Sequence, residues 1–190
     1  MTNEKNEPNK GINKPFSFVN DRFFWLSALV LAVFTALFYL PLWNNDFIST
    51  WDDNTTITDN IYIRSLSWPS IHWMWTTSLV GYYVPLTWMS LALDYQIGGL
   101  NPHVFHLTNL LLHIANTILV FGGCLQLLSF TRQGLGPEEQ LEKKTVHVKA
   151  AFLTAILFAL HPIHVESVPG PPSDGMCFTD FSIFRRFAFT

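Results

Sequence analysis

Residues 102–131 read PHVFHLTNLLLHIANTILVFGGCLQLLSFT, a run that contains no Asp, Glu, Lys or Arg. A helix needs about 20 apolar residues to cross the hydrocarbon core of a bilayer, which is roughly 30 Å thick. The run is longer than that, so it predicts a membrane-spanning helix over residues 103–130. It also decides the class of protein, because an apolar run of this length is typical of a membrane span.

Apolar runs on either side of this stretch predict two more spans. Phe23 to Trp43 contains no charged residue and ends in YLPLW, whose aromatic residues are typical of a membrane interface. A signal peptide has a shorter apolar region and a small-residue cleavage site, so we expect residues 23–43 to be a retained span. A third run, about residues 150–166, carries no charge before Glu166 and predicts another span.

The composition of the whole chain agrees with a membrane protein. Hydrophobic residues make up 49% and charged residues only 13%, and that charged share is about half of what a soluble domain has. The formal net charge is −3, and the sequence has no basic stripe, so we expect no nucleic-acid partner. Cys124 and Cys177 cannot form a disulfide framework, so cysteine does not indicate the compartment.

The distribution of lysine and arginine predicts which side each loop occupies. Basic residues occur in the tail, residues 1–22, and in the linker, residues 132–149, whereas residues 44–101 contain only Arg64. Cytoplasmic loops carry the excess of basic residues, so tail and linker should both be cytoplasmic, with an even number of crossings between them. Residues 65–100, rich in Trp and Tyr, are then interfacial or re-entrant helices. We therefore expect an all-α integral membrane protein with three transmembrane helices and interfacial helices in a long first extracytoplasmic loop.

An acidic pair, Asp52 and Asp53, follows the first span. Two adjacent carboxylates can hold a divalent cation such as Mg²⁺ or Mn²⁺ through their oxygens. One carboxylate could instead act as a general base on a hydroxyl group while the other stays ionised. A solvated turn or a helix cap also favours Asp, so the pair alone does not choose among the three.

Polar residues recur at helical spacing inside the central span. His106, Asn109, His113 and Asn116 fall on one face of a helix. Polar groups in a bilayer face protein or a wet cavity, because lipid leaves them unsatisfied. The face could belong to a binding cavity, or it could only join packed helices through hydrogen bonds.

Two other places carry residues that could bind a ligand. His161, His164 and Glu166 end the third run and could bind metal or phosphate, although Pro162 makes a capped helix end an equal interpretation. Tyr83 lies in an aromatic turn that could seat a lipid or a sugar, for which the alternative is an interfacial anchor.

These residues, taken in order, resemble the membrane glycosyltransferases of GT-C architecture. The resemblance is to the transmembrane O-mannosyltransferase-like family, whose members often carry tetratricopeptide repeats downstream, and it covers about residues 20–168. The matching elements are WDD at 51–53, YVPLT at 83–87, LNP at 100–102 followed by His106, Asn109 and His113, and FALHPIHVESV at 158–168.

The resemblance implies that residues 23–168 are part of a GT-C fold. It implies an inverting transfer of a sugar, mannose, from polyprenyl or dolichyl phosphate to a hydroxyl of a protein or glycan acceptor. Asp52 or Asp53 would be the base or would position a metal ion. The donor or substrate would be bound by His161, His164, Glu166, His106, His113 and Tyr83. At Val84 the family frequently has Arg, so one phosphate contact of the family is missing here.

The sequence changes character after Val168. Residues 169–190 begin PGPPSDGMCF and contain no apolar run, whereas the family continues with Ala-Trp, two variable residues, Glu-Arg-Arg-Asp-Val-Leu and another apolar helix. Restoring one base after the Val168 codon allows the tail's codons to encode that continuation in register. The hypothesis is that residues 169–190 are a frameshifted tail of a longer gene or a sequencing artefact of one, and that the truncated product is inactive. The genomic DNA would decide the matter.

Two other classes of function remain open from the residues alone. The first is a non-catalytic membrane scaffold or subunit, whose polar helix face only packs helices. The second is a small metal or solute transporter that uses Asp52, Asp53, His161 and Glu166, for which metal binding without dependence on a lipid phosphate would be the discriminating observation.

Overall fold

The structure is a computed structural model that describes residues 22–47, 54–79, 81, 83–132 and 134–161. Within these ranges it is all helical. The helices are α1 (Arg22–Tyr39), α2 (Trp68–Thr76), α3 (Pro85–Gly98), α4 (Pro102–Phe130) and α5 (Pro137–Leu160). Short 3-10 turns lie at Leu40–Asn44 and Ile61–Arg64, and a single π-helical turn lies at Asn54–Thr58.

Two of the described helices, α1 and α4, are long and apolar enough to cross a membrane. They coincide with the spans predicted at residues 23–43 and 103–130, with α1 passing into its 3-10 turn at Leu40. Proline at the start of α4 suits a first helical position, where no backbone donor is needed, and Asn101 caps the helix by accepting from the backbone N–H of His103.

Helix α5 begins well before the apolar run that predicted it. Glu138 and Glu139 occupy its first turn, where negative charge is favoured by the helix dipole. Lys143 forms an ion pair with Glu139 at 3.0 Å, one turn apart. Much of the predicted polar linker is therefore helical. The third span, expected over residues 150–166, extends past the described residues and stays a prediction.

Helices α1, α4 and α5 form one packed unit. Its core contains Leu31, Phe121 and Leu125 together with Ala151 and Ala155. The side chains of Ala151, Ala155 and Ala159, spaced four apart on α5, are fully buried. Small residues on one helix face let two backbones approach closely, which is how helices gain packing energy without a hydrophobic driving force.

Helices α2 and α3 form a second cluster against the start of α4. Trp88 and Leu91 of α3, Met74 of α2 and Ile57 of the π-helical turn pack on Phe105 of α4. With 9 and 14 residues, α2 and α3 are too short to cross a bilayer, and their place at the membrane interface stays a prediction. Helix α3 ends at Gly98, and the next residue, Gly99, has a φ of 62° and turns the chain toward α4.

Candidate functional site

The polar face of α4 is buried between helices. His106, Asn109, His113 and Asn116 each expose 7% of their surface or less. Buried polar groups require hydrogen-bond partners, because losing water without replacement destabilises the fold. The partners of these side chains therefore show how the face is used.

His113 meets the ends of α1 and α5 at one carbonyl group. Its Nε2 lies 3.1 Å from the carbonyl oxygen of Ala159, and the hydroxyl of Tyr39 donates to the same oxygen at 3.1 Å. Because a carbonyl oxygen only accepts, His113 donates from Nε2. The Tyr39 ring stands edge-on to His113, with centroids 5.3 Å apart, and Phe158 stacks on the imidazole at 5.6 Å. We call this arrangement the Ala159 junction.

The junction exists because α5 ends where it does. The last carbonyls of a helix have no partner within the helix and need donors from elsewhere. Helix α5 ends at Leu160, so the Ala159 carbonyl is one of these. Pro162 follows in the sequence and has no N–H to offer Phe158, whose carbonyl accepts instead from the backbone of His161 at 3.3 Å.

Two more histidines of α4 hold the chain that follows α1. His103 donates from Nδ1 to the Trp43 carbonyl at 2.9 Å and stacks on the Trp43 ring with centroids 5.4 Å apart. His106 donates from Nε2 to the Asn45 carbonyl at 3.0 Å. Phe47 then packs edge-on against Phe105, at 5.5 Å. The backbone leading toward the acidic pair is thus fixed along the first half of α4.

Asp94 links α3 to α4 near the same end. Its carboxylate accepts from the Thr108 hydroxyl at 2.6 Å, and the residue is buried. Burial raises the pKa of Asp94 to about 6, and the hydrogen bond from Thr108 partly opposes the rise by stabilising the charged form. Asp94 is therefore an acid whose charge state changes close to neutral pH.

The predicted site residues fall into three groups. Asp52, Asp53, His164 and Glu166 lie outside the described residues. His106 and His113 lie on the same buried face of α4, and each donates a hydrogen bond from Nε2 to a backbone carbonyl. Tyr83 and His161 are exposed, and Tyr83 donates to the Trp75 carbonyl at 2.9 Å, so it belongs to the α2–α3 unit.

Some buried side chains have a hydrogen-bond donor that no described residue accepts from. Among the residues that the structure describes, Asn109 Nδ2 and Trp88 Nε1 are buried without a hydrogen-bond partner. No group of three or more metal-ligating side chains occurs in that same part of the chain. The predicted metal ligands, Asp52 and Asp53, are not in it.

Tyr39, Trp43 and Thr108 are site residues that the sequence did not single out. Tyr39 and Trp43 contact His113 and His103 of α4, and Thr108 of α4 donates to Asp94 of α3, yet none has a spacing that would mark it. The aromatic end of the first span, YLPLW, indicated an interface anchor, and that pattern contains both Tyr39 and Trp43. A rule that pairs span-end tyrosines with polar faces on other spans would have found Tyr39.

Two apolar helices of membrane-spanning length, with buried polar side chains packed between helices, are typical of a helical membrane protein. Comparison with known proteins is more specific. The chain is 30% identical over 165 residues to protein O-mannosyl-transferase TMTC4 of Mus musculus, a match that covers 77% of this chain and 20% of that protein. It is 32% identical over 153 residues to protein O-mannosyl-transferase TMTC2 of Homo sapiens, covering 76% of this chain and 16% of the relative.

A more distant species gives the same result over a shorter region. Protein O-mannosyl-transferase Tmtc3 of Drosophila melanogaster is 34% identical over 91 residues, which cover 46% of this chain and 10% of the relative. No family model and no solved structure matches the chain. The chain is a homologue of the TMTC protein O-mannosyl-transferases, a family with the character of membrane glycosyltransferases, which confirms the resemblance drawn from its motifs. It spans about a fifth or less of the length of these relatives.

Proposed function

We propose that this chain is part of a GT-C membrane glycosyltransferase that transfers mannose from polyprenyl or dolichyl phosphate to a protein or glycan hydroxyl. The named activity of the TMTC relatives supports the sugar and the protein acceptor. The observation that carries the proposal is that two histidines of α4 form hydrogen bonds with the backbones of two other chain segments. His106 holds the backbone that leads to Asp52 and Asp53, and His113 holds the end of α5 that leads to His164 and Glu166.

The proposed chemistry is an inverting displacement. The acceptor hydroxyl oxygen attacks the anomeric carbon, the bond from that carbon to the lipid phosphate oxygen breaks, and the phosphate leaves with the electron pair. Asp52 or Asp53 takes the hydroxyl proton. A divalent cation such as Mg²⁺ or Mn²⁺, if the acidic pair binds one, would stabilise charge on the leaving phosphate.

Roles for the remaining residues follow from their contacts. His161, His164 and Glu166 are proposed to lie near the donor phosphate. His106 and His113 are positioning residues, because their Nε2 atoms donate to the Asn45 and Ala159 carbonyls. The exposed ring of Tyr83 is a candidate surface for the lipid or the sugar.

The proposed membrane arrangement places the tail and the 132–149 linker in the cytoplasm. Residues 44–101 would then be periplasmic or luminal, together with residues 161–166. The shared Ala159 junction supports this arrangement, since the C-terminal ends of α1 and α5 meet the first half of α4 there.

A transfer assay tests the function directly. If the genomic DNA confirms the frameshift hypothesis, the protein with the reading frame restored after Val168 would be placed in membranes. Mannose transfer from dolichyl phosphate mannose to a protein acceptor would then be measured. Asp52→Asn and Asp53→Asn should each lower the rate, and the base should account for a loss of about 100-fold or more. Asp59→Asn, an exposed acid close by, is the matched control. Full activity in the double Asp52→Asn, Asp53→Asn variant would overturn the proposed base.

A non-catalytic scaffold is the second candidate, and a specific observation favours it. Three imidazole rings of α4 each donate a hydrogen bond to a backbone carbonyl, as expected for a polar face that only packs helices. They belong to His103, His106 and His113. The scaffold predicts that variants of the acidic pair leave every measurable property unchanged. A transporter of metal ions, the third candidate, predicts divalent binding that Asp52→Asn abolishes and that does not depend on lipid phosphate.

A further inference from the structure

A cavity of about 300 Å³ lies between α1 and α5, far from the Ala159 junction. Ser27 lines it, and Ser27 is separated from Tyr39 by roughly 18 Å along α1 at 1.5 Å per residue. We call it the α1/α5 groove. It lies toward the start of α1, the end of the bundle that contains Arg22 and Lys149.

The lining of the groove is apolar and open to the outside of the helix bundle. On α1, Phe23, Leu26 and Val30 follow a spacing of three and four, which puts them on one helix face. Val148 and Phe152 face them from α5. Phe23 and Leu26 leave more than half of their surface exposed, so a ligand can reach the lining from the lipid side.

Positive charge lies at one end of this apolar lining. Lys149 is itself a lining residue, and Arg22 directly precedes Phe23. Neither forms an ion pair with any residue that the structure describes. The acid of α5 closest to Lys149 in sequence is Glu142, seven residues or about 10 Å before it along the helix, and Glu139 is paired with Lys143 at 3.0 Å. An apolar groove bordered by cations that pair with none of the described residues is complementary to a molecule with a hydrocarbon chain and an anionic head.

We infer that the α1/α5 groove binds the acyl chain of an anionic phospholipid, whose phosphate is held by Lys149. The lipid belongs to the leaflet on the basic, cytoplasmic side. This site is separate from mannose transfer, because the donor phosphate of the proposed reaction lies at the other end of α1. A further protein helix in the groove would have to carry an acidic residue opposite Lys149 to supply the same counter-charge.

The binding can be measured with spin-labelled lipids. The full chain would be reconstituted in phosphatidylcholine vesicles that contain traces of spin-labelled phosphatidylglycerol or spin-labelled phosphatidylcholine. Electron paramagnetic resonance gives the motionally restricted fraction of each lipid, and their ratio gives the selectivity. We expect phosphatidylglycerol to be preferred, and Lys149→Gln to lower that preference about fivefold, as expected for one cation near a membrane surface.

Matched controls separate the groove from general effects. Lys143→Gln removes a charge of the same helix outside the groove and should leave the preference unchanged. Val30→Phe fills the groove and should lower the restricted fraction of phosphatidylglycerol, whereas Leu29→Phe, on an exposed part of the same helix, should not.

Three outcomes would overturn the inference. In the first, Lys149→Gln and Lys143→Gln have equal effects. In the second, Val30→Phe and Leu29→Phe leave the restricted fraction equal. In the third, a spin-labelled polyprenyl phosphate is preferred over phosphatidylglycerol with the same dependence on Lys149, which would make the groove a site for the donor lipid. None of these lipid-binding measurements requires mannose transfer, so the inference can fail while the proposed function stands.

Discussion

Two side-chain donors share the Ala159 carbonyl, and that sharing makes a prediction about single residues. Tyr39→Phe removes one donor and leaves His113 Nε2 in place, so we expect a loss of about 1 kcal/mol in the free energy of unfolding. His113→Phe should behave similarly. The double variant leaves a buried carbonyl with neither donor, so its loss should exceed the sum by about 1 kcal/mol.

Unfolding in detergent, followed by circular dichroism, would measure this coupling. Thr154→Val is the control, because Thr154 is exposed and donates only within its own helix, to the Ala150 carbonyl. Strictly additive losses for Tyr39→Phe and His113→Phe would mean that the two donors do not compete for one acceptor.

Asp94 predicts a pH dependence. Its pKa is raised to about 6 in the folded protein from a value of 3.8, so between these pH values the folded state holds more protons than the unfolded state. Stability should therefore be greatest below pH 4 as far as Asp94 is concerned, and should fall as the pH rises through about 6. Asp94→Asn keeps an oxygen for Thr108 and should remove this fall.

The measurement is the midpoint of thermal unfolding between pH 4 and pH 8, compared between the native chain and Asp94→Asn. Asp59→Asn, an exposed acid outside the cluster of α2 and α3, is the matched control. A pH profile that Asp94→Asn leaves unchanged would show that the carboxylate is not the group responsible.

Sequence patterns located the apolar helices well and the polar partners poorly. Apolar runs placed α1 and α4 because a span must be continuous, and that requirement is visible in one dimension. The start of α5 was missed, because a charged helical segment contains no apolar run. Its start is marked instead by Pro137 and by the Glu residues of the first turn. His113 was predicted to share a buried face with His106, but its carbonyl acceptor could not be, since every residue has the same carbonyl and only the fold selects Ala159.

The alanine face of α5 predicts how the helices respond to added volume. Ala155 is fully buried against the core of α1 and α4. Ala155→Leu should therefore lower the free energy of unfolding by about 1–3 kcal/mol, the usual effect of inserting carbon atoms into a packed core. Ala150→Leu, on an exposed position of the same helix, should change it by no more than about 0.5 kcal/mol.

Resistance to protease in detergent would serve as a second measurement of the same packing. If Ala155→Leu and Ala150→Leu were equally resistant and equally stable, the close approach of α5 to the other helices would be wrong.

The arrangement of the whole molecule in the bilayer makes the last prediction. Helix α4 has 29 residues, about 43 Å at 1.5 Å per residue, which is enough to cross the hydrocarbon core. Thr55 lies before α4 in the chain, on the part that packs against its start, and Gly136 lies after its end.

In a chain without other reactive cysteines, Thr55→Cys should react with a membrane-impermeant maleimide added from the non-cytoplasmic side. Gly136→Cys should react only when the membrane is opened, because the proposed topology puts the basic linker in the cytoplasm. Labelling of both from one side would contradict two crossings between the tail and the linker. It would also remove the shared compartment that the acidic pair and His161 need for one active site.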